Sequence, residues 1–98
     1  ISGMITDIPG EFSLSQNYPN PFNPTTKIRF DISGSSAAQT SLSVYDLLGR
    51  EVAALVNEEL KPGTYEVNWD ASNFPGGVYF YRISAGSFSE TRKMILIK

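Results

Sequence analysis

The sequence predicts an all-β domain, an antiparallel sandwich of about seven short strands. Apolar and polar residues alternate in most segments, and turn residues interrupt the alternation about every eight to twelve positions. Only the segment 51–60 shows any departure toward a helical pattern. The 98 residues suffice for one domain, and short strands in this number favour two packed sheets over a single meander.

The segment LSQNYPNPFNPTT at 14–26 predicts a stiff corner. Proline lacks a backbone donor and fixes φ, so closely spaced prolines exclude a central strand and a helix interior. We expect Tyr18 and Phe22 to be buried anchors. The neighbouring asparagines, Asn17, Asn20 and Asn23, can cap backbone groups left without partners. A recognition loop is the alternative. The central motif consists of Tyr18, Pro19, Asn20, Pro21 and Phe22.

The next two strands are predicted at 27–33 and 40–46, where KIRFDIS and TSLSVYD alternate. The chain then turns at Gly49. EVAALVNEE continues as a strand whose phase is ambiguous, because Ala53 and Ala54 interrupt the alternation. KPG predicts a type II turn in which Gly63 supplies the positive φ.

The strand TYEVNWD at 64–70 alternates cleanly, which predicts Trp69 to be a core residue; a sugar-stacking platform is the alternative. VYFYRIS at 78–84 carries large residues on both faces, which indicates a central strand. AGS reverses the chain into FSETRKMILIK at 88–98. The predicted inward side chains are Ile28, Phe30, Leu42, Val44, Val67, Trp69, Tyr79, Tyr81 and Ile83.

Basic residues concentrate toward the end of the sequence. Four of the eight lie from residue 82 onward, against the single acid Glu90. The run MILI within KMILIK shows no alternation, so this strand is either buried on both faces or an edge strand ready for a partner. The basic residues are Arg82, Arg92, Lys93 and Lys98.

The composition excludes several kinds of chemistry. The chain has no histidine and no cysteine, which removes imidazole bases, thiol nucleophiles, disulfides and ordinary zinc sites. The carboxylates fall at turns and on polar strand faces, and Asp70, Ser72 and Asn73 lack the spacing of an EF-hand calcium loop. We therefore expect no enzyme activity and no cofactor. A net charge of −2 does not predict a nucleic-acid partner.

Three motifs give the sequence a resemblance to a known family. They are PNPF at 19–22, YDLLGREV at 45–52, and GVY at 77–79 together with KMIL at 93–96. In this order they resemble the C-terminal sorting domain of type IX secretion substrates, type A, over residues 12–98. The structural residues of the likeness are Tyr18, Pro19, Asn20, Pro21, Phe22, Tyr45, Asp46, Gly49, Arg50, Gly63, Tyr65 and Trp69.

The resemblance implies an immunoglobulin-like fold and a role as an address rather than a catalyst. Such domains follow a cargo domain of the same chain and direct it through the periplasm and outer membrane of Bacteroidetes-type bacteria. The implied partners are an outer-membrane shuttle and a sortase-like protease. The protease cuts in the linker, near residues 1–11 or upstream of them, and leaves the cargo secreted or at the cell surface. The implied recognition residues are Gly77, Val78, Tyr79, Arg92, Lys93, Met94, Ile95, Leu96, Ile97 and Lys98.

An apolar final strand is suited to strand addition to a receptor, or to a homodimer formed through that strand. Two other functions stay open. A carbohydrate-binding module would use an aromatic platform built from Tyr45, Tyr65, Trp69, Tyr79 and Tyr81. A structural immunoglobulin-like spacer, similar to the sandwich domain of flagellar hook-capping proteins, would need no recognition strand.

Overall fold

The computed structural model describes residues 2–5 and 9–98. All of its regular structure in these residues is β-strand, which confirms the predicted fold class. The eight strands are β1 (Ser2–Ile5), β2 (Ser13–Leu14), β3 (Thr25–Ile32), β4 (Ala38–Tyr45), β5 (Glu51–Leu60), β6 (Gly63–Asp70), β7 (Gly77–Ala85) and β8 (Phe88–Leu96).

The strands form two four-stranded sheets, with the orders β1-β6-β3-β2 and β5-β4-β7-β8. All neighbouring strands within each sheet run antiparallel. The six longer strands are the predicted ones, and β7 is internal as predicted. The short edge strands β1 and β2 bring the number to eight. The segment around 51–60 is strand β5, whose register against β4 shifts at two places.

The inner faces of the two sheets supply one hydrophobic core. Of the predicted inward side chains, only Val67 is half-buried and the others are buried. Trp69 is 4% exposed, which confirms it as a core residue. Its ring packs beside those of Phe22, Phe74 and Tyr79, with centroid separations of 5.5–5.8 Å. Aromatic groups at these distances add stabilisation beyond the area that they bury.

The proline-rich corner differs from its prediction at one of its two anchors. Phe22 is buried, but Tyr18 is 79% exposed. The backbone of Tyr18 exchanges two hydrogen bonds of 2.9 Å with Lys27, which extends the sheet locally beside β3. Successive side chains in extended backbone point to opposite faces, so the buried neighbour Asn17 places Tyr18 in solvent.

The predicted role of Gly63 is also wrong. Glycines with positive φ include Gly49 and Gly86, which lie in the turns after β4 and β7, but not Gly63. Gly63 is instead the buried first residue of β6 and pairs with Ile32 of β3. The chain passes from one sheet to the other at Lys61 and Pro62, without left-handed backbone.

The predicted linker at 1–11 is only partly within the described residues, since residues 1 and 6–8 lie outside them. Ser2–Ile5 forms β1 and pairs with β6 along Thr64–Glu66. At the other end of this segment, Phe12 stacks on Phe88 of β8 with a centroid separation of 5.5 Å. The domain boundary before residue 12 stays a prediction.

Candidate functional site

The predicted recognition strand, β8, is an edge strand of its sheet. The side chains of its apolar run, residues 94–97, point alternately to the core and to solvent, although all four residues are apolar. Met94 and Leu96 are buried in the core, whereas Ile95 is 37% and Ile97 50% exposed. This excludes a strand buried on both faces and leaves the edge-strand alternative.

The outer edge of β8 is already hydrogen-bonded over its last residues. The amide of Phe22 donates to the carbonyl of Ile95 at 2.9 Å, and the amide of Ile97 donates to the carbonyl of Phe22 at 2.8 Å. The side-chain oxygen of Asn20 accepts from the amide of Ile95 at 3.0 Å. The side chain of Gln16 donates to the carbonyl of Lys93 at 2.8 Å. We call residues 16–22 the edge cover.

A network of buried hydrogen bonds holds the edge cover against the core. The amide of Asn17 donates to the hydroxyl of Tyr81 at 2.8 Å, and that hydroxyl donates to the carbonyl of Ser15 at 2.7 Å. The side-chain amide of Asn17 reaches Thr26 at 3.0 Å and the carbonyl of Pro19 at 3.2 Å. The capping prediction is therefore confirmed for Asn17 and Asn20. Burial raises the pKa of Tyr81 to about 12.

Several of the predicted recognition residues serve the interior of the domain. Tyr79, Met94 and Leu96 are buried. Tyr79 donates its hydroxyl to the carbonyl of Pro75 at 2.6 Å, and its pKa is raised by burial and by the nearby charge of Asp46. Gly77 has a φ of 147°, which only glycine adopts readily.

Two basic residues among the predicted recognition residues bind neighbouring segments of the domain. The Arg92 guanidinium donates to the carbonyl of Leu14 at 2.7 Å and forms an ion pair with Glu90 at 2.9 Å. This contact links β8 to β2 of the other sheet. The Lys98 ammonium donates to the carbonyl of Ser72 at 2.6 Å.

Three other predicted recognition residues, Val78, Lys93 and Ile95, point outward and lie together. Val78 pairs with Ile95 across β7 and β8, and the next outward pair is Phe80 with Lys93. On the other side of β7, Phe80 pairs with Tyr45 of β4. Phe80 is not among the predicted site residues, although the large residues on both faces of VYFYRIS already indicated a bulky outward side chain here.

The turn between β4 and β5 is fixed by one carboxylate. Asp46 accepts hydrogen bonds from the amides of Leu48 and Arg50 at 2.9 and 3.0 Å, and from the Arg50 guanidinium at 2.8 Å. The amide of Arg50 is the main cause that lowers the pKa of Asp46, opposed by desolvation. The turn presents Leu47 and Leu48, which are 69% and 79% exposed.

The aromatic platform of a carbohydrate-binding module is not assembled. Trp69, Tyr79 and Tyr81 are buried, while Tyr45 and Tyr65 lie on strands of different sheets. In the described part of the chain, no three acidic side chains form a group that could hold a metal ion. Asp70 accepts hydrogen bonds from the amide and hydroxyl of Ser72. No helix able to span a membrane occurs within these residues.

Comparison with curated proteins gives no match. The sequence model of a family described as "secretion system C-terminal sorting domain" matches residues 16–98. The match covers most of the chain and includes the edge cover, the β4–β5 turn and β8. The chain therefore belongs to this family, the C-terminal sorting domains of type IX secretion.

Proposed function

We propose that this domain directs a cargo protein, fused before it in the same chain, across the outer membrane. The match to the sorting-domain family over residues 16–98 carries the proposal. Membership of the family supports a role as a type IX sorting signal. It also implies interaction with the type IX secretion machinery and a secreted or cell-surface location.

The finer steps of the proposal are binding by an outer-membrane shuttle, followed by cleavage by a sortase-like protease near residues 1–11 or upstream of them. The domain itself contributes no catalysis. The packing of the described residues supports a sorting signal that is recognised as a folded domain, because β8 and the motif at 19–22 are hydrogen-bonded to each other. A shuttle would then meet one rigid surface that contains both motifs.

The test is a reporter enzyme fused before residues 1–98 and produced in a type IX-competent bacterium. We expect the reporter in the medium or on the cell surface, and retention in the periplasm in a strain that lacks the secretion system. Deletion of residues 93–98 removes Met94 and Leu96 from the core and is expected to abolish export. Equal export with and without the secretion system would contradict the proposal.

We also propose that two copies of the domain form a homodimer through β8. Antiparallel alternation places the backbone groups of Ser89 and Thr91 on the outer edge of β8, where no described residue hydrogen-bonds to them. Thr91→Pro removes an outer donor and leaves the ladder to β7 intact. We expect a smaller species than the unmodified domain in size-exclusion chromatography. An unmodified domain that elutes as a monomer at high concentration would contradict the dimer.

A further inference from the structure

The outer face of the β5-β4-β7-β8 sheet carries a continuous group of apolar and basic side chains. We call it the apolar–basic face. Tyr45 lies opposite Phe80, Phe80 lies opposite Lys93, and Val78 lies opposite Ile95. Directly opposed side chains on one face of a sheet are in contact range. The face consists of Tyr45, Val78, Phe80, Arg82, Lys93 and Ile95.

The charge of this face differs from that of the chain as a whole. The outward positions of β7 and β8 include Arg82 and Lys93 but no acidic residue, although the chain carries a net charge of −2. The acid that borders the face is Glu51 of β5, which is exposed and lies opposite Tyr45 on the side away from Phe80. Both side chains are exposed. The Arg82 guanidinium donates one hydrogen bond of 3.1 Å to the hydroxyl of Ser89, and its other donors remain available to a ligand. The face therefore complements an acidic surface.

A depression of about 330 Å³ lies at one end of the face. Tyr45, Leu47 and Phe80 provide apolar lining, and the charged residues that line it are Arg82 and Asp46. The Asp46 carboxylate is paired with Arg50 at 2.8 Å, whereas Arg82 has no acidic partner among the described ion pairs. Leu47 is held in place by the Asp46 turn, so the wall is formed before a partner arrives. Preformed contacts reduce the entropy lost on binding. This geometry suits one large apolar side chain that has a carboxylate beside it.

The edge cover opposes strand addition along the last residues of β8. Strand addition to the outer edge of β8 along Lys93–Ile97 would have to break the hydrogen bonds made by Gln16, Asn20 and Phe22. The face needs no such rearrangement, because its side chains are already exposed or half-exposed.

We infer that the apolar–basic face is the docking surface for a protein of the type IX secretion machinery, one that presents an apolar side chain flanked by carboxylates. This inference rests on the proposed function. It differs from strand addition in one measurable respect. Charge on the face controls recognition, whereas the backbone edge of β8 does not.

The experiment uses the same reporter fused before residues 1–98, with Arg82→Glu and Lys93→Glu introduced together. We expect exported reporter to fall roughly tenfold or more, because like charges across an interface oppose association. Arg82→Lys alone keeps the charge and is expected to export more reporter than the double charge variant does. Lys27→Glu together with Arg29→Glu is the charge-matched control, since both side chains are exposed on β3 of the other sheet.

Phe80→Ser is the second variant and removes the central apolar contact without changing charge. Urea unfolding of each purified variant checks that loss of export does not arise from unfolding. If Phe80→Ser lowers stability, the charge variants decide alone. Equal export of the double charge variant and the unmodified chain would overturn the inference but leave the proposed function standing. Failure of the unmodified chain to export would overturn the proposed function itself.

One further measurement separates a protein partner from a membrane. Purified domain is mixed with vesicles of phosphatidylcholine and phosphatidylglycerol in equal amounts, and sedimentation reports binding. We expect the domain to remain in the supernatant. Sedimentation with the vesicles that is lost in the double charge variant would assign the face to anionic lipid and overturn the protein partner.

Discussion

Phe22 and Ile95 are joined by a hydrogen bond of 2.9 Å, in which the Phe22 amide donates to the Ile95 carbonyl. Together with the return bond from Ile97 to Phe22 at 2.8 Å, it forms a short parallel bridge between the corner and β8. The side chain of Phe22 is buried beside Trp69. One residue thus fixes the corner to the core and to the edge of β8.

Phe22→Ala is expected to lower the free energy of unfolding by about 3–5 kcal/mol, as truncation of a buried phenylalanine does elsewhere. The residue is 2% exposed, so a cavity forms next to Trp69. Urea unfolding followed by tryptophan fluorescence measures the change. Tyr18→Ala is the control, and its exposed side chain predicts a change within about 0.5 kcal/mol. Similar losses in the two variants would contradict the different burial of the two aromatic residues.

Asn20→Ala removes the side-chain oxygen that accepts from the Ile95 amide. We expect a loss of about 0.5–1.5 kcal/mol, the usual net value of one intramolecular hydrogen bond. Hydrogen exchange should show faster exchange at the Ile95 amide. Asn68→Ala on the exposed face of β6 is the control and should leave this amide protected. Unchanged exchange at Ile95 in Asn20→Ala would show that the cap does not hold β8.

Tyr81→Phe is expected to alter stability at neutral and at alkaline pH. At pH 7 the free energy of unfolding should fall by about 1–3 kcal/mol, because the Asn17 amide and the Ser15 carbonyl lose the Tyr81 hydroxyl as their hydrogen-bond partner. The pKa of Tyr81 rises on folding from 10.0 to about 12. Its contribution to stability is therefore complete below pH 10 and is lost as the pH rises toward 12.

Unfolding free energies measured at several pH values between 7 and 12 test this expectation. The unmodified domain should lose stability across the alkaline range more steeply than Tyr81→Phe. Tyr79, whose pKa is also raised by burial, contributes in the same direction in both proteins. Parallel pH profiles for the two proteins would contradict the role assigned to the Tyr81 hydroxyl.

Asp46→Asn is expected to loosen the turn that presents Leu47 and Leu48. Folding lowers the pKa of Asp46 below 3.8 through hydrogen bonds with Arg50 and Leu48. Its contribution to stability is therefore present above pH 3.8 and lost as the pH falls through the lowered pKa. The variant should show a weaker dependence of stability on acid pH and faster cleavage by thermolysin at the two leucines.

Asp70→Asn is the matched control for Asp46→Asn. The pKa of Asp70 is likewise lowered, mainly by the hydroxyl and amide of Ser72, so this variant should also weaken the acid dependence. Its turn lies between β6 and β7, so cleavage at Leu47 and Leu48 should stay slow. Equal cleavage in both variants would show that Asp46 does not hold its turn specifically.

Period-two alternation was sufficient to predict β3, β4 and β6 and the burial of Trp69, whereas β5, β7 and β8 were predicted as strands although their alternation is interrupted. It failed where the chain is uniformly apolar, as in the run MILI, because alternation in space leaves no trace in such a sequence. There the packing of one face of β8 into the core decides which side chains are buried. The family motifs selected Met94, Ile95 and Leu96 together and did not distinguish the inward Met94 and Leu96 from the outward Ile95.

The corner was predicted only in part, because its partners are distant in sequence. Hydrophobicity favoured burial of Tyr18, yet Asn17 is buried instead, with its amide bonded to the hydroxyl of Tyr81 64 positions away. Phe80 and Arg82 likewise acquire their place on the apolar–basic face only through pairing of β7 with β4 and β8. Local patterns carry no information on such pairings.

Asn20 and Ile95, which are 75 positions apart, meet only after every intervening residue has been synthesised. A chain truncated before β8 cannot form the hydrogen bonds between the proline-rich corner and Ile95, so its sorting signal is not assembled. If the domain acts as the proposed sorting signal, a complete polypeptide becomes a requirement for export, and we expect chains that are truncated before β8 to be retained.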